Sequence, residues 1–118
     1  MIKLIKDNSY QQSIDDLKTE IAIFDDVNLY GNPYIVDIQD NKVVACLFLN
    51  DNEILIATSF FYRKCGIAYN LIKETMNDFD NLKAKIANNK SEELFKKLGF
   101  KFEIDELTQD LWALYGIH

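Results

Sequence analysis

Three apolar segments in the middle of the chain, separated only by short polar turns, constrain the fold more than any other feature. They cover residues 34–38, 43–49 and 53–58, and the turns between them read D-N at 40–41 and N-D-N at 50–52. Turn residues between short apolar runs predict an antiparallel β-meander. The middle segment, VVACLFL, is almost continuously apolar, which is typical of a strand that is covered on both faces of its sheet. We therefore expect helices on both sides of this strand.

The N-terminal part of the chain predicts one strand and one helix. Residues 2–5 contain three apolar side chains, which suit a short strand. Ser9 followed by Gln12 resembles a capping box at the start of a helix. The apolar side chains that recur at helical spacing after it are Ile14, Leu17, Ile21 and Phe24. This spacing predicts that all four lie on one buried helix face.

The second half of the sequence predicts two more helices and three strands. One helix covers about residues 66–79, and a strand follows at 82–86. The next helix begins with Asn89 as its N-cap and stops at Gly99, which suits the left-handed position after a helix. The last two strands cover residues 101–104 and 111–115. The order β-α-β-β-β-α-β-α-β-β predicts an α/β (α+β) fold, with a mixed sheet and helices on its faces, as one domain over residues 1–118.

Length, charge and cysteine content exclude several classes of protein. The 118 residues suit one compact domain, and the net charge of −6 argues against a nucleic-acid partner, because such a partner needs a basic face. Cys46 and Cys65 cannot build a disulfide framework, and no CxxC pair indicates a metal such as zinc. The first residues lack the apolar run of a signal peptide, and no stretch reaches about 20 apolar residues, so we expect a cytoplasmic protein without a membrane partner. The acidic surface is compatible with a cationic partner, but it is also an ordinary means of staying soluble.

The most informative segment, residues 56–72, passes from a strand through a short turn directly into an amphipathic helix. N–H groups in the first turn of a helix have no intrahelical partner and form an anion site, especially for a pyrophosphate. Gly66 stands at the helix entrance, Ala68 adds little bulk, and Arg63 and Lys64 supply two cations. The alternative is an ordinary strand-to-helix turn with a surface Arg-Lys pair.

Two motifs in this half of the chain resemble a known family. Residues 63–68 (RKCGIA) resemble the R/Q-x-x-G-x-G/A signature of the GNAT superfamily of acetyl-CoA-dependent N-acetyltransferases. Asn88 and a helix that ends in K-L-G-F at 97–100 resemble the second motif of that family. The resemblance covers residues 34–115, whereas the N-terminal part, with one strand and one helix, is short for the family. It implies a GNAT-like fold, with a mixed, mostly antiparallel central sheet and helices on both faces.

The resemblance also implies acetyl-CoA as co-substrate and names the parts of the chain that bind it. The family binds the CoA pyrophosphate with backbone amides of the loop after Arg63, and the corresponding residues are Lys64, Cys65, Gly66, Ile67, Ala68 and Tyr69. It pairs the pantetheine arm with a strand that splays from its neighbour, and the corresponding residues are Ile56, Ala57 and Thr58. Asn88 matches an asparagine near the pantetheine, although a helix-capping role is the alternative.

The sequence departs from the family at the residues expected to move protons. In such a site a neutral amine attacks the thioester carbonyl, a base removes a proton and an acid protonates the thiolate. The usual tyrosine acid corresponds to Phe95, which has no proton to give. The carboxylate that some members carry on the preceding strand corresponds to Lys83.

A few residues remain as candidates for these roles. Glu53, at the start of the strand before the loop, is the candidate base, and the alternative is a solvated glutamate at a strand end. The tyrosines that are candidates to replace the missing acid are Tyr62, Tyr69 and Tyr115, although a tyrosine beside a packed helix is often half-buried core. Cys65 is not expected to be a nucleophile, because the only histidine, His118, stands at the end of the sequence.

Two hypotheses from different classes follow. The first is an N-acetyltransferase, a monomer or homodimer, that transfers the acetyl group of acetyl-CoA to a primary amine of a small molecule or a protein in a ternary complex. The second is a GNAT-fold module that binds CoA, or only a protein partner, without catalysis. Phe95, Lys83 and the short N-terminal part motivate the second hypothesis. An unrelated α/β domain that matches by chance is the remaining alternative.

Overall fold

The computed structural model describes residues 1–116, and its elements follow the predicted order. The strands are β1 (Ile2–Leu4), β2 (Asn32–Gln39), β3 (Lys42–Asn50), β4 (Glu53–Thr58), β5 (Asn81–Lys85), β6 (Lys101–Ile104) and β7 (Leu111–Gly116). The helices are α1 (Gln11–Asp25), α2 (Ile67–Met76) and α3 (Asn89–Lys97), and a short 3-10 turn covers Phe60–Tyr62. His118 lies outside the described residues.

Seven strands form one mixed, mostly antiparallel sheet in the order β1-β2-β3-β4-β5-β7-β6. Tight turns join β2 to β3 and β3 to β4, as predicted for the meander. Asp40 and Asn41 adopt φ values of 52° and 61°, the left-handed conformation that a two-residue hairpin turn requires. The exception to the antiparallel pattern is β4, which is parallel to β5. This parallel pair lies in the middle of the sheet, where the site is found.

Helices cover both faces of the sheet, which confirms the prediction from the apolar middle segment. The side chains of residues 43–48 in β3 are at most 1% exposed. On one face α1 packs through Ile14, Leu17 and Ile21. On the other face α2 and α3 pack through residues that include Leu71, Ile72 and Phe95. Within the described residues, no helix has the length and hydrophobicity needed to cross a bilayer.

The predicted start and buried face of α1 were partly wrong. Ser9 makes no cap hydrogen bond to the helix; its backbone N–H donates to the carboxylate of Asp7, and the side-chain amide of Gln12 donates to Asp16 on the helix surface. The helix instead begins after Tyr10 without a side-chain cap. Phe24 was expected in the core but is 71% exposed. The helix ends one residue later, at Asp25, and Ile21 is the last side chain of α1 that the sheet covers.

The ends of the other two helices also differ from prediction in places. The N-cap of α3 is Asn88 rather than Asn89, because the extended backbone at Asn88 lets its Oδ1 accept the N–H of Ser91 at 2.9 Å. The C-terminal end is as predicted: Gly99 adopts φ 86°, and the N–H groups of Gly99 and Phe100 return to carbonyls of the last turn in a Schellman motif. Helix α2 ends at Met76, three residues earlier than expected.

Candidate active site

Strands β4 and β5 separate from each other directly after their first contact. Their register contains a single pair, Glu53 with Lys83, and the Lys83 N–H donates to the carbonyl of Asn52 at 2.9 Å. By contrast, β4 stays paired with β3 along its whole length, as far as Thr58. The splay that the resemblance implies is therefore present, and it opens a wedge in the middle of the sheet.

The backbone groups that point into this wedge can be assigned from the pairing on the other side. Ser59 donates its N–H to the carbonyl of Val44 at 2.8 Å, so Ser59 faces β3. Because N–H and C=O groups alternate in direction along a strand, those of Thr58 and Ile56 point towards β5. The Thr58 carbonyl accepts a hydrogen bond from Arg63 Nε at 3.1 Å. Among the described residues no strand pairs with Ile56 on this side, which leaves its backbone groups open to a ligand.

A cleft of about 640 Å³ lies beside the splayed strands. It brings together most of the residues predicted to bind CoA, and those that line it are Ile56, Ala57, Thr58, Arg63, Lys64, Gly66, Ile67, Ala68 and Tyr69. Tyr62 lines it as well. Helix α1 and the loop after it contribute Ile21, Asp25 and Val27, which were not predicted. The face of α3 formed by Lys90, Glu93, Leu94 and Lys97 was also missed, although its helical spacing is visible in the sequence.

The start of α2 presents unpaired backbone N–H groups to the cleft. No side chain caps the helix, and the first bond of the new helix runs from the N–H of Asn70 to the carbonyl of Gly66 at 3.1 Å. The N–H groups of residues 67–69 therefore have no partner within the helix, and the helix dipole makes this end positive. Gly66 adopts φ 76°, and a Cβ built there would meet no atom within 4 Å. The arrangement can bind an anionic group through the backbone.

Positive charge is concentrated around this cleft although the chain as a whole is acidic. Lys64, Lys90 and Lys97 line it, and the carboxylate of Glu93 is interspersed among them on α3. The guanidinium of Arg63 is already paired with the carboxylate of Asp25. The lysines therefore supply the positive charge that a phosphate-bearing ligand would meet first.

Glu53, Asn88 and Cys65 were expected at the site but lie outside the lining of the cleft. Glu53 is 9% exposed, so it is not the solvated glutamate of the alternative interpretation. Its Oε2 accepts a hydrogen bond from the hydroxyl of Tyr30 at 2.6 Å, and this bond to the carboxylate raises the pKa of Tyr30. The side chain of Asn88 serves as the α3 cap, which is the alternative role left open for it. Cys65 is exposed, next to the loop residues that do line the cleft.

Of the three tyrosines named as candidate acids, two line the cleft. Phe95, at the position of the family's tyrosine, is buried and packs edge-to-face on Phe100 with ring centroids 4.9 Å apart. Tyr115 does not line the cleft, and its hydroxyl is 3.5 Å from the carbonyl of Met76. Among the tyrosines in the described residues, Tyr62 and Tyr69 line it. These two are the remaining candidates for a proton donor near a bound thiol.

Comparison with known proteins relates this arrangement to a fold. No protein-family model matches the sequence, and no curated protein does either. Solved structures do match. A ribosomal-protein-alanine N-acetyltransferase from Brucella melitensis is 16% identical with a TM-score of 0.69, covering 99% of both chains. The PaiA N-acetyltransferase from Thermoplasma acidophilum, in complex with coenzyme A, is 11% identical with a TM-score of 0.72, again covering 99% of both.

The N-acetyltransferase YlbP from Bacillus subtilis, also in complex with coenzyme A, gives the same result. It is 15% identical with a TM-score of 0.67, and the match covers 99% of this chain and 96% of that one. At such low identity the likeness concerns the fold, and it extends over nearly the whole of each chain. The splayed strands, the uncapped helix start and these matches together identify the chain as having the GNAT fold of the N-acetyltransferases.

Proposed function

We propose that this protein is an N-acetyltransferase that binds acetyl-CoA in the cleft beside the splayed strands and transfers the acetyl group to a primary amine. The observation that carries the proposal is that β4 leaves β5 after a single paired position, so that its unpaired part shares a cleft with an uncapped helix start. One feature offers open strand-edge groups and the other offers unpaired N–H groups. The CoA complexes of PaiA and YlbP, which share the fold, support the same ligand.

The two halves of acetyl-CoA fit the two halves of the cleft. The N–H groups of Gly66, Ile67, Ala68 and Tyr69 suit the pyrophosphate, because a helix start favours negative charge. The open backbone groups of Ile56 suit the amides of the pantetheine arm, which would bind as an added strand. Asn88 and Cys65 are less suited to direct contact, since neither lines the cleft.

The proposed reaction forms a bond between the acceptor nitrogen and the acetyl carbon and breaks the bond from that carbon to sulfur. The acceptor must lose a proton and the leaving thiolate must gain one. A backbone N–H on the splayed edge of β4 can stabilise the oxyanion that forms in between. Tyr62 or Tyr69 can supply the proton to the thiolate, because both line the cleft and Phe95 cannot donate. Glu53 remains the proposed base, acting through water or through the Tyr30 hydroxyl that it holds.

A CoA-binding or protein-interaction module without catalysis is the second candidate function. Two observations favour it: the residue at the usual acid position is a buried phenylalanine, and Glu53 does not line the cleft. The same fold and the same cofactor site would serve this function, so cofactor binding alone does not separate the two candidates.

Titration calorimetry with acetyl-CoA and CoA tests the cofactor site. We expect the wild-type protein to bind both and Gly66→Glu to bind neither, because the new side chain brings a strained backbone and a negative charge to the anion site. If the wild-type protein released no heat with either ligand, and mass spectrometry of the purified protein found no CoA, both candidate functions that use CoA would be wrong.

A thiol-release assay over small amines and lysine peptides separates the enzyme from the inert module. An enzyme is expected to release CoA with at least one acceptor. Its rate should fall by about 100-fold or more in Tyr62→Phe or Tyr69→Phe if that residue is the acid. Phe95→Leu is the matched control, because it removes no proton donor and should leave turnover at saturation within about twofold of wild type. No release with any acceptor, in a protein that binds CoA, would favour the module.

A further inference from the structure

Helix α1 is connected to the loop between β4 and α2 by a set of side-chain bonds that the two sequence motifs do not contain. The carboxylate of Glu20 accepts two of them. Its Oε1 accepts the hydroxyl of Ser59 at 3.0 Å, and its Oε2 accepts the backbone N–H of Phe60 at 2.9 Å. Ser59 is buried, so this contact fixes the point where the loop leaves β4.

Arg63 forms the second connection, near the other end of the same loop. Two of its guanidinium nitrogens donate to the two carboxylate oxygens of Asp25, the last residue of α1. Its Nε donates to the carbonyl of Thr58 at 3.1 Å, and its guanidinium lies 5.8 Å from the ring centroid of Phe60. All three nitrogens are thus engaged, and the adjacent carboxylate neutralises the charge.

The loop contains one residue with a strained backbone, Lys64, which contacts from outside the loop can stabilise. Lys64 adopts φ 67° and Gly66 adopts φ 76° within three residues. The left-handed conformation is unfavourable for Lys64, which carries a Cβ, whereas Gly66 adopts it without that penalty. No side chain of the loop caps α2, so nothing within the loop fixes the N–H groups of the helix start. The contact from Asp25 is to Arg63, directly before Lys64, and the contacts from Glu20 are to Ser59 and Phe60 at the start of the loop. Together they can hold the loop backbone in position.

We propose that the side chains of Glu20, Asp25 and Arg63 form a brace, a set of contacts between α1 and the loop that holds the loop in its anion-binding conformation. In this role Arg63 is a positioning residue that acts through Asp25 and Thr58, and it is not a ligand of the pyrophosphate. The inference rests on the proposed function, since the brace matters only if the loop binds the CoA pyrophosphate. It gives α1, which packs on the opposite face of the sheet from α2 and α3, control over cofactor affinity.

The substitution Asp25→Asn distinguishes a brace from a direct ligand by the sign of its effect. Asp25 also lines the cleft, so removal of its negative charge would by itself favour an anion slightly. If Arg63 acts through Asp25, the loosening of the loop outweighs this gain and weakens CoA binding, by roughly threefold to tenfold. If Arg63 instead binds the phosphates, the same substitution frees the guanidinium and tightens CoA binding. Titration calorimetry with CoA measures the dissociation constant directly.

Arg63 variants and a double mutant complete the test. The brace predicts that Arg63→Lys, which keeps the charge but loses the fork and the Nε bond, weakens binding about as much as Arg63→Gln. It also predicts that the double mutant Asp25→Asn/Arg63→Gln is no weaker than either single variant, because both remove the same connection. Glu20→Gln weakens the contacts to Ser59 and Phe60 at the other end of the loop, and it should weaken CoA binding independently of Arg63. In the thiol-release assay, these variants should have a higher KM for acetyl-CoA than wild type. Their kcat at saturation should differ from wild type by less than about twofold.

The ion pair between Lys85 and Asp110, 3.4 Å apart, provides a matched control. Its carboxylate is about as exposed as that of Asp25, and Asp110→Asn should leave CoA affinity unchanged. Unchanged or tighter CoA binding in Asp25→Asn, or near wild-type binding in Arg63→Lys, would overturn the brace. These results differ from a wild-type protein that binds no CoA at all, which would overturn the proposed function itself.

Discussion

Arg63 is the single arginine among thirteen basic residues, and its contacts explain why a lysine would not serve. An arginine offers five N–H donors in a rigid planar fork, whereas a lysine offers three donors on one flexible tip. Here the fork spans the Asp25 carboxylate while Nε reaches the Thr58 carbonyl. One side chain therefore links a helix, a strand and a loop, which a single ammonium could not do at the same three positions.

Asn88 is the residue whose two possible roles make opposite predictions. As the N-cap of α3 it stabilises the fold, so Asn88→Ala should lower the free energy of unfolding by about 1 kcal/mol, measured by urea denaturation. CoA affinity should stay within about twofold of wild type, because the residue does not line the cleft. Asn89→Ala is the control and should change neither quantity. A large loss of CoA affinity in Asn88→Ala, without a loss of stability, would contradict the capping role.

For the secondary-structure elements, local sequence signals predicted the strands and helices well. They did not predict contacts between residues that are far apart in the sequence. The turn at Asp40-Asn41 and the glycine after α3 depend on residues next to each other, so spacing alone identifies them. The wedge between β4 and β5 was expected only through the family resemblance. The bond from Tyr30 to Glu53 and the pair of Asp25 with Arg63 join residues 23 and 38 positions apart, and no periodicity carries that information.

The buried strand β3 also gives the protein's stability a pH dependence. Cys46 is fully buried there, and burial raises the pKa of its thiol from 9.0 to about 12. The unfolded chain can ionise this thiol above about pH 9, while the folded chain keeps it neutral. The free energy of unfolding should therefore be unaffected by this group below pH 9. It should fall as the pH rises from about 9 to about 12, by at most about 1.4 kcal/mol per unit.

Urea denaturation between pH 8 and pH 11.5 measures this slope. Cys46→Ala should reduce it, whatever its effect on stability at neutral pH, and Cys65→Ser, at an exposed position, should retain the wild-type slope. Part of the slope above pH 10 should remain, because burial and the bond to Asp78 raise the pKa of Tyr34 to about 12 as well. Identical slopes in wild type and Cys46→Ala would show that the thiol is not buried in this way.

For the whole molecule, the charge distribution matters more than the net charge. The chain carries −6 overall, which excluded nucleic acid as an expected partner. Yet the cleft is lined by lysines from α3 and from the loop before α2. A CoA molecule carries its negative charges at the phosphates, so it would be repelled by most of the surface and attracted at this cleft. The rest of the surface is acidic, so it would not repel a cationic acceptor that approaches away from these lysines.

Neutralising the α3 face should change CoA affinity in a direction set by the sign of each residue. Lys90→Gln and Lys97→Gln should each weaken binding by about fivefold at most, because they act from exposed positions, and Glu93→Gln should strengthen it slightly. The double lysine variant should also show a weaker dependence of the dissociation constant on salt, since fewer charges are screened. Lys101→Gln, on β6 and outside the cleft, is the control. If binding were insensitive to salt and to all three α3 residues, the phosphates would lie elsewhere, and the backbone of the α2 start would have to bind the anion alone.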